Sequence, residues 1–332
     1  MNGDKATIPE GFTIDETENV ISKGLVVHGP DKANGDDGSE FVWVPVPDIN
    51  SMAQCSTAGG NCNLQLENGT LKCKTHNDNE DIVGKLYSTT PGENFGTMNT
   101  TYNANMGLRE PSLVTGNTEG TGKDYDNSVE YNQELFKLND LKLDYKNMAT
   151  SVAKYAGFYV GRYETSLSDA TNTSSGTKSG VAQSKQGKIP TSSNNEPTKY
   201  WYGLYKIQNK TYTGTNNSVE SSMIWGSQYD ALINWIKNSN NEKEKLESTT
   251  LGNNSSKSIT ITGSSDYEND RINNVRDLGG NLMEWTLEAY NTSGRISRGG
   301  TYNYAASPSY RLDYYPSGIY SDYGSRLTLY IK

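Results

Sequence analysis

The chain has 332 residues, a formal charge of −9 and an isoelectric point near 4.9. Such an acidic chain lacks the clustered Lys and Arg that phosphate contacts need, so nucleic acid is not expected as a partner. Only 33% of the residues are apolar, and no stretch approaches the ~20 apolar residues of a membrane helix. No signal peptide is recognisable. The abundance of Asn, Ser, Thr, Gly and Tyr predicts a loop-rich protein that is extracellular or lies at a cell or virion surface.

The first part of the chain predicts short strands followed by a polar insertion. Apolar runs at residues 8–14, 24–29 and 40–46 are separated by clusters of Gly, Asp and Asn, which are typical turn residues. Residues 47–128 are polar and show almost no hydrophobic periodicity. We therefore interpret residues 47–128 as an insertion of loops and short strands.

A helix and a strand are predicted in the middle of the chain. Starting at Leu141, Met148, Val152 and Tyr155 recur at helical spacing and lead into the apolar run at residues 157–165. That run predicts a strand.

Two further helices are predicted before the C-terminal third. Pro197 suits the first position of a helix with Trp201 and Tyr205 on one face. Ser227 with Asp230 resembles a capping box at the start of a helix near residues 227–238. Because strands, helices and strands follow one another in blocks, the predicted class is α+β.

The C-terminal segment combines a predicted strand with an unusual loop. Leu327, Leu329 and Ile331 alternate with polar residues, which predicts a half-buried strand with Thr328 and Tyr330 on its solvent side. Residues 301–325, before it, are rich in Tyr, Ser, Asn, Asp and Gly. Eight of the 23 tyrosines lie from residue 301 onward. This composition is typical of antibody binding loops, in which Tyr provides rigid amphipathic area.

The three cysteines, Cys55, Cys62 and Cys73, all lie in the insertion, with His76 just after them. A disulfide is the favoured interpretation because the composition indicates a location outside the cytosol, and Cys55–Cys62 is the simplest pair. Two alternatives stay open at this point. One is a zinc site made by all four residues, and the other is three unmodified thiols.

Several motifs carry a family resemblance. VRDLGGNLMEWT at residues 275–286, RGGTYN at 298–303 and GSRLTLYI at 324–331 resemble the core signature of the formylglycine-generating (sulfatase-modifying) enzyme superfamily. EFVWVPV, GFYVGRYET and MIWGSQYDALINWI match it upstream in the same order. The resemblance implies a C-type-lectin-like fold with loop-rich insertions, formed by one domain over residues 7–332. It also predicts one common core containing the residues Trp43, Phe158, Trp225, Trp285 and Leu327.

The catalytic residues of the superfamily's enzymes are missing from this sequence. Its oxidising branch uses two cysteines just before the closing strand, whereas this chain has no cysteine after Cys73. A thiolate is both the copper ligand and the redox nucleophile in that chemistry. The thiol-chemistry branch holds iron through histidines, and the only two here are His28 and His76. Glu284 and Glu288 form a carboxylate pair, but solvated surface carboxylates are the simpler interpretation. We therefore expect no enzymatic activity and no redox cofactor.

The superfamily also contains the hypervariable ligand-binding proteins of diversity-generating retroelements, which vary residues in the C-terminal segment. The resemblance to these proteins predicts that residues 301–325 form a variable segment that binds a protein or glycan on a surface. A degenerate enzyme and a lectin-like adhesin of fixed specificity are the alternatives. The predicted contact residues are Tyr290, Asn291, Tyr302, Tyr304, Tyr310, Asp313, Tyr314, Tyr315, Tyr320, Ser321, Asp322 and Tyr323.

The resemblance further implies a calcium site in the loop that leads into the Glu-Trp motif. The matching positions are the side chains of Asp277 and Glu284 and the carbonyl groups of Gly280 and Leu282. Ligation by oxygen atoms alone in a tight glycine turn suits calcium. The alternative is that the two carboxylates only accept hydrogen bonds from turn amides.

Overall fold

The structure is a computed structural model that describes residues 5–31, 38–57, 60–73, 86–88, 138–168, 180–194, 198–239, 242–290 and 294–332. These residues form a mixed α+β architecture with mostly antiparallel sheets and few helices, as predicted. None of the helices in this part of the chain is long and apolar enough to cross a membrane. The α-helices are α1 (Leu138–Tyr155), α2 (Tyr200–Gln208) and α3 (Gly226–Asn238).

The strands fall into two larger sheets and three small ones. In chain order they are β1 (Thr13–Ile14), β2 (Val26–His28), β3 (Glu40–Pro45), β4 (Ala53–Thr57), β5 (Gly60–Cys62), β6 (Leu64–Glu67), β7 (Thr70–Cys73), β8 (Leu86–Ser88), β9 (Gly157–Gly161), β10 (Ser166–Leu167), β11 (Ala182–Gln183), β12 (Val219–Met223), β13 (Met283–Ala289), β14 (Arg295–Arg298), β15 (Arg311–Tyr314), β16 (Tyr323–Ser325) and β17 (Leu327–Ile331).

The largest sheet contains six strands in the order β1-β2-β3-β9-β17-β12, and all neighbours are antiparallel. β17 lies inside this sheet between β9 and β12, although it comes last in the sequence. The sheet therefore joins residues from the start, the middle and the end of the described chain. It is the support on which the other elements pack.

Both faces of the six-stranded sheet are buried, which corrects two predictions. Phe158, Trp225 and Trp285 share one core cluster with the inner sides of α1 and α3. Trp43 and Leu327 lie in a second cluster, so the predicted common core of five residues is wrong. The two clusters occupy opposite sides of the sheet because successive side chains of a strand point to opposite faces.

The prediction of a half-buried closing strand is also wrong. Thr328 and Tyr330 are buried, at 1% and 5% exposure, together with the alternating aliphatic residues of β17. Helices cover the side that was predicted to face solvent. Ser151 Oγ on α1 donates to the carbonyl of Ile331 (2.6 Å), and Thr328 Oγ1 donates to Gln228 Oε1 on α3 (3.1 Å).

The predicted helices are confirmed, but their starts differ from the sequence signals. α3 begins at Gly226, and its first turn is closed by Gln228 Oε1, which accepts from the Trp225 amide (3.1 Å). The capping box predicted from Ser227 and Asp230 is therefore wrong. α2 begins at Tyr200. Pro197, its predicted first residue, lies outside the described residues.

A four-stranded sheet in the order β15-β14-β13-β16 carries the C-terminal motifs. β14 is antiparallel to both β13 and β15, whereas β13 and β16 are parallel. In β13, Glu284 pairs with Gly324 and Trp285 pairs with Ser325, so the Glu-Trp motif lies directly beside the Gly-Ser-Arg segment. Segments about 40 residues apart are thus neighbours, and they form the candidate site.

The insertion confirms the predicted disulfide but corrects its pairing. Cys55 and Cys62 are paired across β4 and β5, yet Cys55 is a buried thiol outside any disulfide. Cys73 is disulfide-bonded. The predicted Cys55–Cys62 disulfide is therefore wrong. A zinc site that uses Cys73 as a thiolate is ruled out as well, and His76 lies outside the described residues.

Candidate ligand-binding face

The site rests on a buried ion pair between Arg326 and Glu284. Arg326 Nε donates to both carboxylate oxygens of Glu284 (2.9 and 3.0 Å), and its Nη2 contacts the same group. Arg326 Nη1 and Nη2 also donate to the carbonyls of Gly161 and Arg276 (2.9 and 2.7 Å). Burial raises the pKa of Glu284, and Arg326 opposes that effect. Burial alone would lower the pKa of Arg326, but the carboxylates of Glu284, Glu164 and Asp277 together outweigh it and raise that pKa.

A second buried carboxylate fixes the turn that precedes β13. Glu164 accepts from the Leu282 amide (2.7 Å) and from Asn281 Nδ2 (2.6 Å). Burial raises the pKa of Glu164 well above its usual value, and the carboxylates of Asp277 and Glu284 add to the effect. We call Glu164, Asn281, Glu284 and Arg326 the buried network. It holds the Gly-Asn-Leu-Met-Glu-Trp segment in place from below.

The Arg-Gly-Gly turn after β14 requires both of its glycines. Gly299 has φ +80°, and a Cβ there would lie 2.5 Å from the carbonyl oxygen of Leu278. A Cβ on Gly300 would lie within 3 Å of three backbone atoms, among them the Gly279 carbonyl oxygen (2.8 Å). Any side chain at either position would force the backbone to shift. The turn therefore fixes where residues 301–304 leave the sheet.

The C-terminal segment carries two groups of tyrosine rings in contact. Tyr314 meets Tyr320 edge to face, with ring centroids 4.8 Å apart, and lies 6.2 Å from Tyr315. Tyr304 and Tyr310 form a second contact, with centroids 5.8 Å apart. Burial and the hydrogen bond from Tyr304 raise the pKa of Tyr310 to about 12. We call Tyr304, Tyr310, Tyr314, Tyr315 and Tyr320 the aromatic face.

The members of the aromatic face differ in exposure. Tyr304, Tyr314 and Tyr315 are 50%, 38% and 37% exposed. Tyr310 and Tyr320 are half-buried, and both pack against the main core cluster. Ile319, between them in sequence, is 54% exposed and adds an aliphatic side chain to the same segment. Three tyrosines are thus available for contact, and two mainly support them.

Two of the predicted contact tyrosines are buried. Tyr302 is 7% exposed, and Tyr323 is 6% exposed. The Tyr323 ring lies 5.2 Å from Trp285 and 4.8 Å from Tyr320, and burial raises its pKa. The hydroxyls of Tyr302 and Ser321 are 3.2 Å apart. In this arrangement both rings support the face instead of presenting area on it.

Four other predicted residues, Tyr290, Asp313, Ser321 and Asp322, are exposed or half-buried. Ser321 is exposed, and Asp322 is half-buried beside it. Tyr290 and Asp313 are half-buried and both approach Gly294, on the side of the sheet away from Tyr314. Burial raises the pKa of both Asp313 and Asp322. Asn291 lies outside the described residues.

Three arginines of β14 and β15 are fully buried. Arg295 stacks over the Trp201 ring at 4.0 Å. Arg298 lies over the Tyr229 ring (4.5 Å) and donates to Asp230 Oδ1 (2.8 Å). Arg311 forms an ion pair with Glu288. The segment 301–325 contains no basic residue besides Arg311, so it presents no positive side chain of its own at the surface.

The positions predicted for calcium are already engaged in other contacts. Both oxygens of Glu284 are bound by Arg326, and Asp277 Oδ2 accepts from the Gly263 amide (3.1 Å). Among the residues that the structure covers, no group of three or more His, Cys, Asp or Glu side chains is placed to hold a metal. Calcium at Asp277, Gly280, Leu282 and Glu284 stays a prediction, and there the ion would share the Glu284 carboxylate with Arg326.

The side chains considered for catalysis are also engaged. His28 Nε2 lies 3.0 Å from Asp15 Oδ2, and His76 lies outside the described residues. Glu284 and Glu288 are buried in separate ion pairs, so neither is the solvated surface carboxylate expected from the sequence. The absence of enzymatic activity stays a prediction.

Sequence reasoning missed Glu164 and the pairing of Glu284 with Arg326. The available signal was a charged residue inside an apolar or aromatic run: Glu164 lies between Tyr163 and Thr165 in GFYVGRYET, and Glu284 lies between Met283 and Trp285. Charged residues are almost never fully buried without a partner, so each such position predicts one. Which residue serves as the partner depends on contacts between distant segments.

No protein-family model matches the chain, and no curated protein matches it. The chain is weakly similar in structure to Treponema denticola variable protein 1, with 14% sequence identity, 52% of this chain and 84% of that chain covered, and a TM-score of 0.33. A structure of CarF matches at 13% identity, with 53% and 88% of the two chains covered and a TM-score of 0.34. TM-scores this low do not establish a shared fold.

Proposed function

We propose that this protein is a non-enzymatic ligand-binding protein that binds a macromolecular surface ligand through its aromatic face. The observation that carries the proposal is the joint exposure of Tyr304, Tyr314 and Tyr315 on one segment. Tyrosine offers a large contact area with few rotatable bonds and a hydroxyl that can stay hydrogen-bonded in either state. Clustered exposed aromatic rings mark interaction sites more often than ordinary surface.

Rigidity of the support favours the same function. Ordering a side chain on binding costs ~0.5–1.5 kcal/mol, so a face that is ordered beforehand loses less affinity. Here Trp285 and Tyr323 pack beneath the exposed rings, and the Arg-Gly-Gly turn fixes the start of the segment. The buried tyrosines thus contribute through pre-organisation, and the exposed ones through contact.

Within this function, we place the chain with the variable proteins of diversity-generating retroelements, on a C-type-lectin-like frame at a cell or virion surface. The support is the sequence resemblance together with the mixture of Tyr, Ser, Asn, Asp and Thr in residues 301–325. The encoding locus tests this assignment. A near-copy of the codons for that segment, differing at adenines and lying beside a reverse transcriptase, is expected. Its absence would favour an adhesin of fixed specificity or a degenerate enzyme.

The binding function is tested by removing the exposed rings together. A ligand is first identified by array or pull-down with the parent protein, and affinity is then measured for the Tyr304→Ala, Tyr314→Ala, Tyr315→Ala triple variant. We expect a folded protein with at least a hundredfold weaker binding, since a few aromatic residues dominate most interfaces. Tyr267→Ala, a change at a tyrosine distant in sequence and outside the face, is the matched control. Full affinity in a folded triple variant would contradict the proposal.

Calcium forms a separate part of the proposal. Binding at Asp277 and Glu284 should raise the melting temperature on calcium addition and lower it on chelation, since a ligand that binds only the folded state stabilises it. Calorimetry should show heat that disappears in the Asp277→Ala variant. If the parent protein shows no heat of binding and no thermal shift, calcium does not belong in the proposal.

A further inference from the structure

A second concave site lies away from the aromatic face, between the N-terminal segment and the end of α3. It consists of two cavities of about 440 and 560 Å³ that share Val20 and Ser22 as lining residues. Both volumes fall in the range of ~300–1,000 Å³ that small-molecule sites occupy. No lining residue comes from segment 290–325. We call these two adjoining cavities together the N-terminal groove.

The larger cavity offers an aromatic wall. Trp235 of α3 is half-buried and lines it together with Pro45, Val20 and Ile21. Val20 is 46% exposed, so the apolar wall is open to solvent. An indole face packs well against a ligand whose own face carries C–H bonds.

Four asparagines present hydrogen-bond acceptors to the groove. Each side-chain amide is held in place by a hydrogen bond that its Nδ2 donates. The acceptors are the Glu16 carbonyl for Asn19 (3.0 Å), Asn234 Oδ1 for Asn238 (3.2 Å), Ser239 Oγ for Asn273 (2.8 Å) and the Gly24 carbonyl for Asn274 (2.7 Å). Among the described residues, none donates to the four Oδ1 atoms. Asn273 is 5% exposed and still lines the cavity.

The turn that carries two of these asparagines is built for a fixed geometry. Asn273 and Asn274 both have positive φ (45° and 65°), and Ile272 and Val275 exchange two backbone hydrogen bonds across them (2.8 Å each). Such turns need residues that tolerate the left-handed region, where asparagine is among the few non-glycine residues enriched. The acceptors therefore have defined positions before any ligand arrives.

The carboxylates of the groove are paired within the protein, whereas Lys23 has no ion-pair partner among the described residues. Glu18 is paired with Arg162, and Glu242 is paired with Lys245 (2.9 Å). A cationic ligand would have to break one of these pairs to reach a carboxylate. A neutral ligand needs only the fixed acceptors, the aromatic wall and the donors of Lys23 and Arg271 at the rim.

We propose that the N-terminal groove binds a neutral saccharide. Sugar rings combine a face of C–H bonds with hydroxyls that donate hydrogen bonds, which matches an indole wall beside fixed amide oxygens. The ligand must be polar, because an apolar ligand would bury the side-chain oxygen of Asn273 without a hydrogen-bond donor. This inference does not depend on the proposed function of the aromatic face.

The test is titration of the full chain with neutral tetrasaccharides of glucose, N-acetylglucosamine, mannose and galactose, monitored by ligand-observed NMR and calorimetry. Spermidine and a heparin tetrasaccharide serve as charged probes. At least one neutral tetrasaccharide should bind with a millimolar or lower dissociation constant, and more tightly than either charged probe. Binding by none of them, or tighter binding of a charged probe, would overturn the proposal.

Variants locate the binding. Trp235→Ala should abolish saccharide binding. Because Trp235 also packs against the core, the result is interpreted only for a folded variant. The Asn19→Ala, Asn238→Ala double variant changes two exposed residues and should weaken saccharide binding at least tenfold. Lys237→Ala, on the same helix and outside the groove, is the matched control. Unchanged affinity in the folded double variant, or loss in the Tyr304, Tyr314, Tyr315 triple variant instead, would overturn the assignment to the groove.

Discussion

Glu284 and Trp285 are neighbours in β13, but their side chains enter two regions of opposite character. Glu284 points into the buried network, where Arg326 meets it through paired hydrogen bonds of 2.9 and 3.0 Å. Trp285 points to the other side, under the tyrosine rings of Tyr320 and Tyr323 (6.2 and 5.2 Å between centroids). One strand thus separates a charged interior from an aromatic surface.

The two regions differ in how well they tolerate substitution of their residues. A buried charge has a few partners at fixed positions, and removing one leaves the others desolvated and unpaired. A ring in the aromatic face contacts other rings through area, and its outer edge meets solvent. We infer that the network keeps the frame unique, whereas the face can change in sequence without loss of the fold.

Removing Arg326 should have the largest effect on stability and so tests the difference between the two regions most directly. The Arg326→Met variant leaves Glu284 buried without its partner, which should lower the free energy of unfolding by ~3–5 kcal/mol in urea titrations. Adding Glu284→Leu should recover part of that loss, because both charges are then gone. A single variant as stable as the parent protein would show that the network does not hold the frame.

A second test contrasts two tyrosines that the sequence cannot distinguish. Tyr323→Ala removes a buried ring that packs on Trp285 and should cost about 3 kcal/mol of stability. Tyr314→Ala removes a ring that is 38% exposed and should cost about 1 kcal/mol or less. Thermal unfolding of both variants checks the difference. Equal losses would contradict the division into supporting and presenting residues.

The third prediction concerns affinity for the ligand once one is identified. Single changes at Tyr314 or Tyr315 should each weaken binding by about 2 kcal/mol, since hot spots are commonly aromatic. Tyr320→Ala should lower both affinity and stability, because its half-buried ring supports Tyr314. Binding isotherms and melting curves measured on the same samples separate the two effects. If Tyr314→Ala lowers stability and leaves affinity unchanged, Tyr314 supports the fold and does not contact the ligand.

The smallest expected effect is on the titration of the carboxyl groups of Asp313 and Asp322. Burial raises the pKa of Asp313 and Asp322, so both should titrate above the usual aspartate value of about 3.9 in carboxyl-detected NMR. A raised pKa means that the folded protein favours the protonated form. This stabilisation is present below the unfolded-state pKa and is lost as the pH rises through the folded-state pKa. Titration below 3.9 would show that hydrogen bonds to the carboxylates outweigh burial.

Local patterns predicted the main elements but not what covers them. The period of Met148, Val152 and Tyr155 identified α1, and the run GFYVG identified β9, because each pattern reflects its own element. Alternation in β17 predicted one solvated face, yet α1 and α3 pack on that face. Covering elements lie more than 80 residues away in sequence, so no local pattern reports them.

The candidate site shows the same limit. The composition of residues 301–325 identified the segment, but Tyr302, Tyr314 and Tyr323 look alike in sequence and differ widely in exposure. The cysteines are a further example. Cys55 and Cys62 are the nearest pair along the chain and face each other across two strands, yet Cys55 keeps its thiol. Spacing alone therefore does not determine disulfide pairing.

The position of β17 has a consequence for synthesis of the protein. β17 follows the aromatic face in the sequence and lies inside the six-stranded sheet, between β9 and β12. A ribosome must therefore translate the whole face before the sheet can close. Any stop codon or frameshift introduced within residues 301–325 removes β17 and splits the sheet, so we expect the truncated chain not to fold. Truncated products would go to proteolysis, so each folded molecule carries a face that was translated to its end.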